Sequence, residues 1–289
     1  MEYTNPELPE GINTSKTHPL KEFAVLLLGV MAVAFVGIGL LIITADYFAD
    51  KIPFSWEQKL PVTEFLDNNN NKKLPVYLEQ TAEKVIAGFE LPEDMSITVH
   101  YVNSDTVNAF ATLGGHIVLY RGLLEKLSYE DELSMIIAHE IAHIKYRHPI
   151  LSASHGIVIG LVLSLMGVSS ADQVVDNLLG TAGMVAMIKY SRDYEYRADK
   201  DAVNSLIKQY GHAGGAMGLF KIFNAVPGKA ELVEFLNTHP LTENRIKRAQ
   251  MLIKAHSIVG ENKMTPLPEK FKAWLKQQRV LAEKEKRNS

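Results

Sequence analysis

The longest apolar run in the chain covers residues 23–44, which contain no charged side chain. At a rise of about 1.5 Å per residue, a helix of this length crosses the roughly 30 Å hydrocarbon core of a bilayer. A cleaved signal peptide has a shorter apolar core, a basic start and a small-residue exit site, none of which fits this run. The pattern therefore predicts an uncleaved transmembrane helix at residues 23–44, after an N-terminal tail at residues 1–22.

A second apolar pattern, after residue 128, predicts a buried helix. Its apolar positions lie nearly all round a helix, which is typical of burial, and they are Leu133, Met135, Ile136, Ile137, Ile141 and Ile144. Ser128 is the expected N-cap, with Asp131 as its partner three residues on. Pro149 is expected to end the helix.

The remaining pattern predicts shorter elements. A helix is expected at residues 75–89, a strand at 97–102 and a strand around 117–119. Helices are also expected before Gly211 (a C-cap), at residues 219–235 with a break at Pro227 and Gly228, and at 241–256. The charged residues 269–289 predict a solvated helix. Residues 157–168 and 178–190 are apolar but too short for comfortable spans, so core helices are expected there.

Composition limits the class of protein. The chain has 289 residues, 47% of them hydrophobic, a net charge of −3 and no cysteine. This is enough for one globular domain and an anchor, and the near-neutral charge argues against a nucleic-acid partner. Without cysteine there are no disulfides or thiolate metal sites. The expected order is a tail (1–22), a transmembrane helix (23–44), a linker (45–74), a globular domain (75–255) and a charged C-terminal tail (256–289).

The chemistry lies on the buried helix. His139-Glu140-Ile141-Ala142-His143 places two imidazoles four residues apart on one helix face, with a carboxylate between them. His139 and His143 can hold one Zn²⁺, and Glu140 can then act as general base on the attacking water. Desolvating these groups in a buried helix is costly unless a metal satisfies them. The alternative is a core helix whose histidines are only hydrogen-bonded.

A third ligand has two candidate positions. The metzincin spacing requires Gly at 146 and His at 149, but Tyr146 and Pro149 stand there. The other pattern takes Glu195 from a later helix, with Asp199 on the same face accepting the spare ring N–H of a ligand histidine. The alternative for Glu195 and Asp199 is a solvated charged face. Beside the histidine pair, ligation is favoured.

Three separated motifs carry a family resemblance. They are H-E-I-A-H, S-R-D-Y-E-Y-R-A-D and T-H-P-L-T-E-N-R-I, in that order. They resemble the zinc metallopeptidases typified by the CAAX prenyl protease, HtpX, the mitochondrial Oma-type protease and BepA. The resemblance implies an α+β, mainly helical gluzincin-type fold with a small antiparallel sheet after the transmembrane helix. It also implies that His239 and Arg245 lie near the metal, where they steady the tetrahedral intermediate or gate the site. Residue patterns alone would give these two only capping and surface roles.

The resemblance also marks a strand bordering the cleft. The residues implied in substrate binding are Asn108, Ala109, Phe110, Gly114, Gly115 and His116. Strand propensity after the glycines agrees, and metalloproteases hold extended peptides against such an edge.

These observations predict a membrane-anchored endopeptidase with one Zn²⁺ per chain, cleaving peptides or proteins near the bilayer in envelope protein quality control. The alternative is a zinc-bound chaperone or binding module with a gated, slow site. His143 and Glu195 must reach one metal, so the chain between them crosses the membrane zero or two times. HtpX-like proteins span here and CAAX-type proteases have several spans, whereas one span is expected in this chain. Lysines are balanced across it, and the resemblance favours a bacterial inner-membrane protein with a periplasmic catalytic domain.

Overall fold

The computed structural model describes residues 18–59, 74–165, 190–225, 233–240, 242–255 and 264–288. The chain divides into two compact units, Met1–Thr44 and Ala45–Ser289. Helix α1 (Pro19–Lys51) supplies the described part of the first unit and continues into the second. Its segment Pro19–Ala49 is long and apolar enough to cross a membrane, with a mean hydropathy of 2.9. This helix extends beyond residue 44, where the predicted span ended.

The second unit is mainly helical. Its helices are α2 (Phe54–Glu57), α3 (Val76–Ala87), α4 (Arg121–Leu124), α5 (Glu130–Lys145), α6 (His148–Leu165), α7 (Arg192–Tyr210), α8 (Gly214–Ala225), α9 (Val233–Thr238), α10 (Glu243–Ala255) and α11 (Glu269–Asn288). Its strands are β1 (Thr98–Val102), β2 (Ala109–Thr112) and β3 (His116–Tyr120). The predicted mainly helical α+β fold with a small sheet is confirmed.

The sheet is mixed, so the prediction of a purely antiparallel sheet is wrong. Its order is β1-β3-β2, with β1 parallel and β2 antiparallel to β3. The turn between β2 and β3 holds Gly114 and Gly115 at φ values of 75° and 84°. A Cβ at Gly115 would lie 1.9 Å from the Ser96 carbonyl oxygen. Glycine therefore makes this tight hairpin possible, and β1 joins β3 on its other side.

Helix α5 is the centre of the fold, since it packs against α3, α7, α8 and β2. Its predicted start is wrong in detail, because the Glu132 carboxylate, not Asp131, accepts the N–H groups of Ser128 and Tyr129 at 2.8 and 3.1 Å. Asp131 instead accepts the Thr265 N–H at 2.8 Å. Both contacts fix the helix start within the core.

The predicted end of α5 is also wrong. The helix ends at Lys145, and Arg147 follows with a positive φ of 58°. Pro149 lies in the first turn of α6, where its missing N–H costs no hydrogen bond. The chain therefore turns before the proline.

The later helices agree with the pattern in position. Gly211 caps α7 in the left-handed conformation, and α10 lies within the predicted range. Helix α11 forms as predicted, but its solvation was predicted wrongly, because Phe271 and Leu275 are buried in the main core. The predictions for residues 67–73, 166–168, 178–189 and the break at 227–228 lie outside the described residues.

Candidate active site

Four elements bring the charged and metal-ligating side chains together. Helix α5 presents His139, Glu140 and His143. Helix α7 presents Glu195 and Asp199, and its start is fixed by the Ser191 hydroxyl, which accepts the Tyr194 N–H at 3.2 Å. His239 directly follows α9, and Arg245 lies in the first turns of α10. All these residues are buried except Arg245, which is partly buried.

Three predicted ligands converge on one point. The Nε2 atoms of His139 and His143 lie 3.0 Å apart. Glu195 Oε1 lies 3.4 Å from His143 Nε2, and Oε2 lies 3.6 Å from His139 Nε2. Ligands of a tetrahedral zinc ion at about 2.0–2.1 Å lie about 3.3 Å from one another. The donor set and its spacing therefore fit one zinc ion.

His239 belongs to the same cluster. Its Nδ1 lies 3.3 Å from His139 Nε2 and 3.0 Å from Glu195 Oε1. The potential ligand atoms of His139, His143, Glu195 and His239 all lie within 4.8 Å of one another. His239 is thus placed as a possible fourth ligand, with the Phe235 ring stacked beside it at 5.0 Å.

Glu140 lies beside this cluster. Its Oε1 atom is 3.5 Å from His239 Nε2. Neither carboxylate oxygen has a hydrogen-bond partner among the described residues, although both are buried. A buried carboxylate without partners is costly unless a proton or another donor reaches it. Glu140 is therefore placed to accept a proton at the site.

Asp199 and Arg245 contact the predicted ligands. Asp199 Oδ1 lies 3.1 Å from His139 Nδ1. The Arg245 guanidinium donates to both Asp199 oxygens, at 2.5 and 2.8 Å, and also pairs with Glu195. Burial acts to raise the pKa of both carboxyls, but the nearby Arg245 charge and the contacts with the cluster histidines together outweigh it and lower the pKa of each. Both carboxylates therefore stay ionised, as ligation and histidine orientation require.

The two predicted ligand histidines, His139 and His143, have pKa values shifted in opposite directions. Burial acts to lower the pKa of His139, but the carboxylates of Asp199 and Glu195 raise it to about 9. Burial holds the pKa of His143 well below its ordinary value. The carboxylates therefore favour a cation at His139, whether a proton or a metal.

His148 and Tyr190 also contact His143, and the sequence analysis missed both. His148 Nδ1 lies 2.9 Å from His143 Nδ1, so ligation through Nε2 lets the His143 Nδ1–H donate to His148. The Tyr190 ring lies face to face with His143, at 3.7 Å and 18°. His148 lies one residue before the position at which the metzincin spacing requires a histidine, and Tyr190 stands just before the S-R-D-Y-E motif, with no periodic signal of its own.

The predicted substrate residues separate into two groups. Ala109 and Phe110 lie on β2, which packs against α5, and Asn108 precedes them. Gly114 and Gly115 form the turn, where the Gly114 N–H donates to Glu57 at 3.2 Å. His116 pairs with His100 at 2.9 Å. The contacts of Gly114, Gly115 and His116 give these residues a structural role. A substrate-binding role for all six predicted residues remains a prediction.

Several known proteins are similar to this chain in sequence. The model of Peptidase family M48 matches residues 73–253. The beta-barrel assembly-enhancing protease of Escherichia coli (strain K12) is 30% identical over 160 residues, covering 52% of this chain and 33% of that protein. Mitochondrial metalloendopeptidase OMA1 of Schizosaccharomyces pombe is 24% identical over 177 residues, covering 61% and 52%. A protease HtpX homolog of Pyrococcus abyssi is 25% identical over 270 residues, covering 80% and 89%.

The extent of these matches differs. The chain spans about a third of the length of the beta-barrel assembly-enhancing proteases, 38% of the one from Vibrio cholerae and 33% of the one from Escherichia coli. It spans most of the HtpX homolog. The segment matched by the family model, residues 73–253, contains all the residues of the candidate site.

Proposed function

The chain belongs to Peptidase family M48, and on that basis we propose that it is a membrane-anchored, zinc-dependent endopeptidase. The observation that carries the proposal is the convergence of His139, His143 and Glu195 on one point, with Glu140 beside it. Two imidazoles and one carboxylate, with room for a further ligand, form the donor set of catalytic rather than structural zinc. The substrates are peptides or proteins.

The side chains divide the chemistry of peptide hydrolysis. When bound, Zn²⁺ acts as a Lewis acid that polarises the scissile carbonyl and acidifies water. Glu140 takes the proton of the attacking water and passes it to the leaving amine, because its carboxylate oxygens have no competing partner among the described residues. Asp199 orients His139, and His148 orients His143. Arg245 neutralises the two carboxylates that flank the cluster.

The test compares metal content and cleavage in two variants of the full chain, purified without chelator. Wild type should carry one zinc ion per chain by elemental analysis and cleave unstructured casein. Glu140→Gln should keep the zinc and lose cleavage, because Glu140 is not a ligand. His143→Ala should lose both. Zinc loss in a folded Glu140→Gln variant, or full cleavage by His143→Ala, would contradict the assigned roles.

We further propose that α1 anchors the catalytic unit to a bacterial inner membrane by a single span, with the unit in the periplasm. The span is supported by the length and hydropathy of Pro19–Ala49. The periplasmic side is supported by the relatives named for beta-barrel assembly, which also favour substrates in envelope protein quality control. A reporter that is active only outside the cytoplasm, fused after Ser289, should be active. An active cytoplasmic reporter at that position would reverse the orientation.

A further inference from the structure

One edge of strand β2, which is buried along its whole length, faces away from the rest of the sheet. Among the described residues its only strand neighbour is β3. The Tyr120 N–H donates to the Asn108 carbonyl at 3.2 Å, which makes this a hydrogen-bonded antiparallel pair. Hydrogen-bonded pairs alternate along the strand, so the backbone N–H and C=O groups of Phe110 also point toward β3. The N–H and C=O groups of Ala109 and Ala111 therefore point away from β3, toward the edge where an extended peptide would add as a further strand.

One of these edge groups is already bound. The Tyr190 hydroxyl donates to the Ala111 carbonyl oxygen at 3.1 Å. Ala111 is itself fully buried. The hydrogen bond thus occupies an acceptor that edge pairing would require.

Tyr190 connects this edge to the candidate active site. Its ring lies 3.7 Å from the His143 imidazole, and its backbone N–H donates to the Thr238 carbonyl at 3.3 Å. Thr238 directly precedes His239, which lies in the ligand cluster. Tyr190 therefore contacts the edge of β2, the proposed ligand His143 and Thr238, the residue before His239.

We propose that Tyr190 is a gating residue, whose hydroxyl occupies the Ala111 carbonyl until a backbone N–H of an extended peptide substrate displaces it. This inference rests on the proposed peptidase function, and it names the substrate group that pairs there. Removing the hydroxyl removes the competitor for this acceptor but leaves the ring on His143. Because one neutral hydrogen bond is lost only from the unliganded state, peptide binding should tighten by about 2–10-fold.

The test separates binding from cleavage. Fluorescein-labelled casein is titrated, with anisotropy as the readout, into the full chain carrying Glu140→Gln, with and without Tyr190→Phe. We expect Tyr190→Phe to lower the Kd by about 2–10-fold at unchanged zinc content. In the active protein, the KM for casein should fall by a similar factor while kcat changes little.

The matched control is Tyr77→Phe, which removes another phenol hydrogen bond, the 2.9 Å bond to Glu130 at the start of α5. Its Kd should equal that of the parent. An unchanged or higher Kd for Tyr190→Phe would overturn the gate, and so would loss of zinc, because the hydroxyl would then act on His143. If wild type fails to cleave casein, the proposed peptidase function fails, while the comparison of Kd values still decides the gate.

Discussion

The Arg245 guanidinium pairs with two carboxylates at the proposed metal site. It donates to both oxygens of Asp199 and pairs with Glu195, so its charge is engaged before any substrate arrives. We therefore expect Arg245→Ala to weaken zinc binding about 10–100-fold, as loss of groups that orient metal ligands does. Competition with a fluorescent chelator measures this affinity.

The control for this prediction is Arg248→Ala. Arg248 lies on the same helix but is exposed and stacks on Tyr196 at 4.8 Å. Its zinc affinity should remain that of wild type. If Arg245→Ala binds zinc normally but loses about 10²–10³-fold in kcat, Arg245 is the oxyanion donor that the family resemblance implied.

The position of His239 favours the gating role over the donor role. Its Nδ1 lies within ligand distance of the cluster, 3.3 Å from His139 Nε2 and 3.0 Å from Glu195 Oε1. A side chain that fills the open coordination position must leave before a substrate carbonyl can enter. His239→Ala should therefore cleave an unstructured peptide faster than wild type in single-turnover experiments.

Asn237→Ala is the control for His239→Ala, since Asn237 is exposed on α9 two residues earlier. It should cleave at the wild-type rate. A fall of about 10²–10³-fold in His239→Ala, with zinc retained, would instead identify a transition-state donor.

At the residue scale, the sequence predicted what helix geometry dictates. His139 and His143 share a face because they lie four residues apart, and Glu195 and Asp199 share one for the same reason. His148 and Tyr190 reach His143 only because the chain turns at Arg147, with its positive φ of 58°, and returns to the cluster at residue 190. Such contacts have no sequence period, so the pattern could not predict them.

At the scale of elements, long apolar patterns were more reliable than local signals. Helix α5 was predictable from its apolar positions. Its start depends on a local contact, in which Glu132 rather than Asp131 accepts the Ser128 N–H, and its end involves a tertiary contact of Arg147 with the Ile52 carbonyl. Helix α11 was predicted to be solvated because its sequence is strongly charged. Its apolar residues form only a narrow face, which packs into the core. The docking of α11 therefore has to be understood from its contacts with the domain.

A charge network docks α11 onto the domain. Arg121 is fully buried and pairs with Asp105 and Glu125, and Glu125 also accepts two hydrogen bonds from Arg279 of α11. Glu125→Gln leaves the buried guanidinium with one charged partner and weakens the bond to α11. We expect a loss of about 1.5–3 kcal/mol in the free energy of unfolding, the range for hydrogen bonds to charged groups.

Denaturant unfolding, followed by circular dichroism, measures this loss. The control is Glu83→Gln, which neutralises an exposed carboxylate on α3 and should change stability by less than about 0.5 kcal/mol. If both variants unfold alike, the Arg121 network adds nothing to the docking of α11.

At the scale of the whole molecule, the sequence predicted one apolar anchor and one mainly helical catalytic unit, but not the strand order. The parallel pairing of β1 with β3 depends on which side of the hairpin β1 joins, and the residues of a single strand do not encode that choice. The sequence also predicted only a linker in the segment after the anchor, at residues 45–74. There Glu57 pairs with Arg147 at 2.5 Å, and the Arg147 guanidinium donates to the Ile52 carbonyl at 2.8 Å. These contacts fix the segment to the end of α5.

This segment should lie at the bilayer surface. Trp56 is 63% exposed, as is Tyr47, and Phe48 is 61% exposed. Tyr and Trp side chains favour the membrane interface, where an apolar ring and a polar group are both solvated well. The chain has two tryptophans, and the other, Trp274, packs against Tyr101 at a ring distance of 4.8 Å. The two therefore serve as matched probes of membrane contact.

In vesicles containing lipids brominated near the headgroup, Trp274→Phe, which keeps Trp56, should be strongly quenched. Trp56→Phe, which keeps Trp274, should fluoresce as it does in unbrominated vesicles. Because Trp56 is held to α5 through Glu57 and Arg147, its quenching would place the active-site helix close to the membrane, where the proposed substrates lie. Equal fluorescence of Trp56 in brominated and unbrominated vesicles would show that this segment stands clear of the bilayer. The catalytic unit would then reach substrates away from the surface, even with α1 inserted.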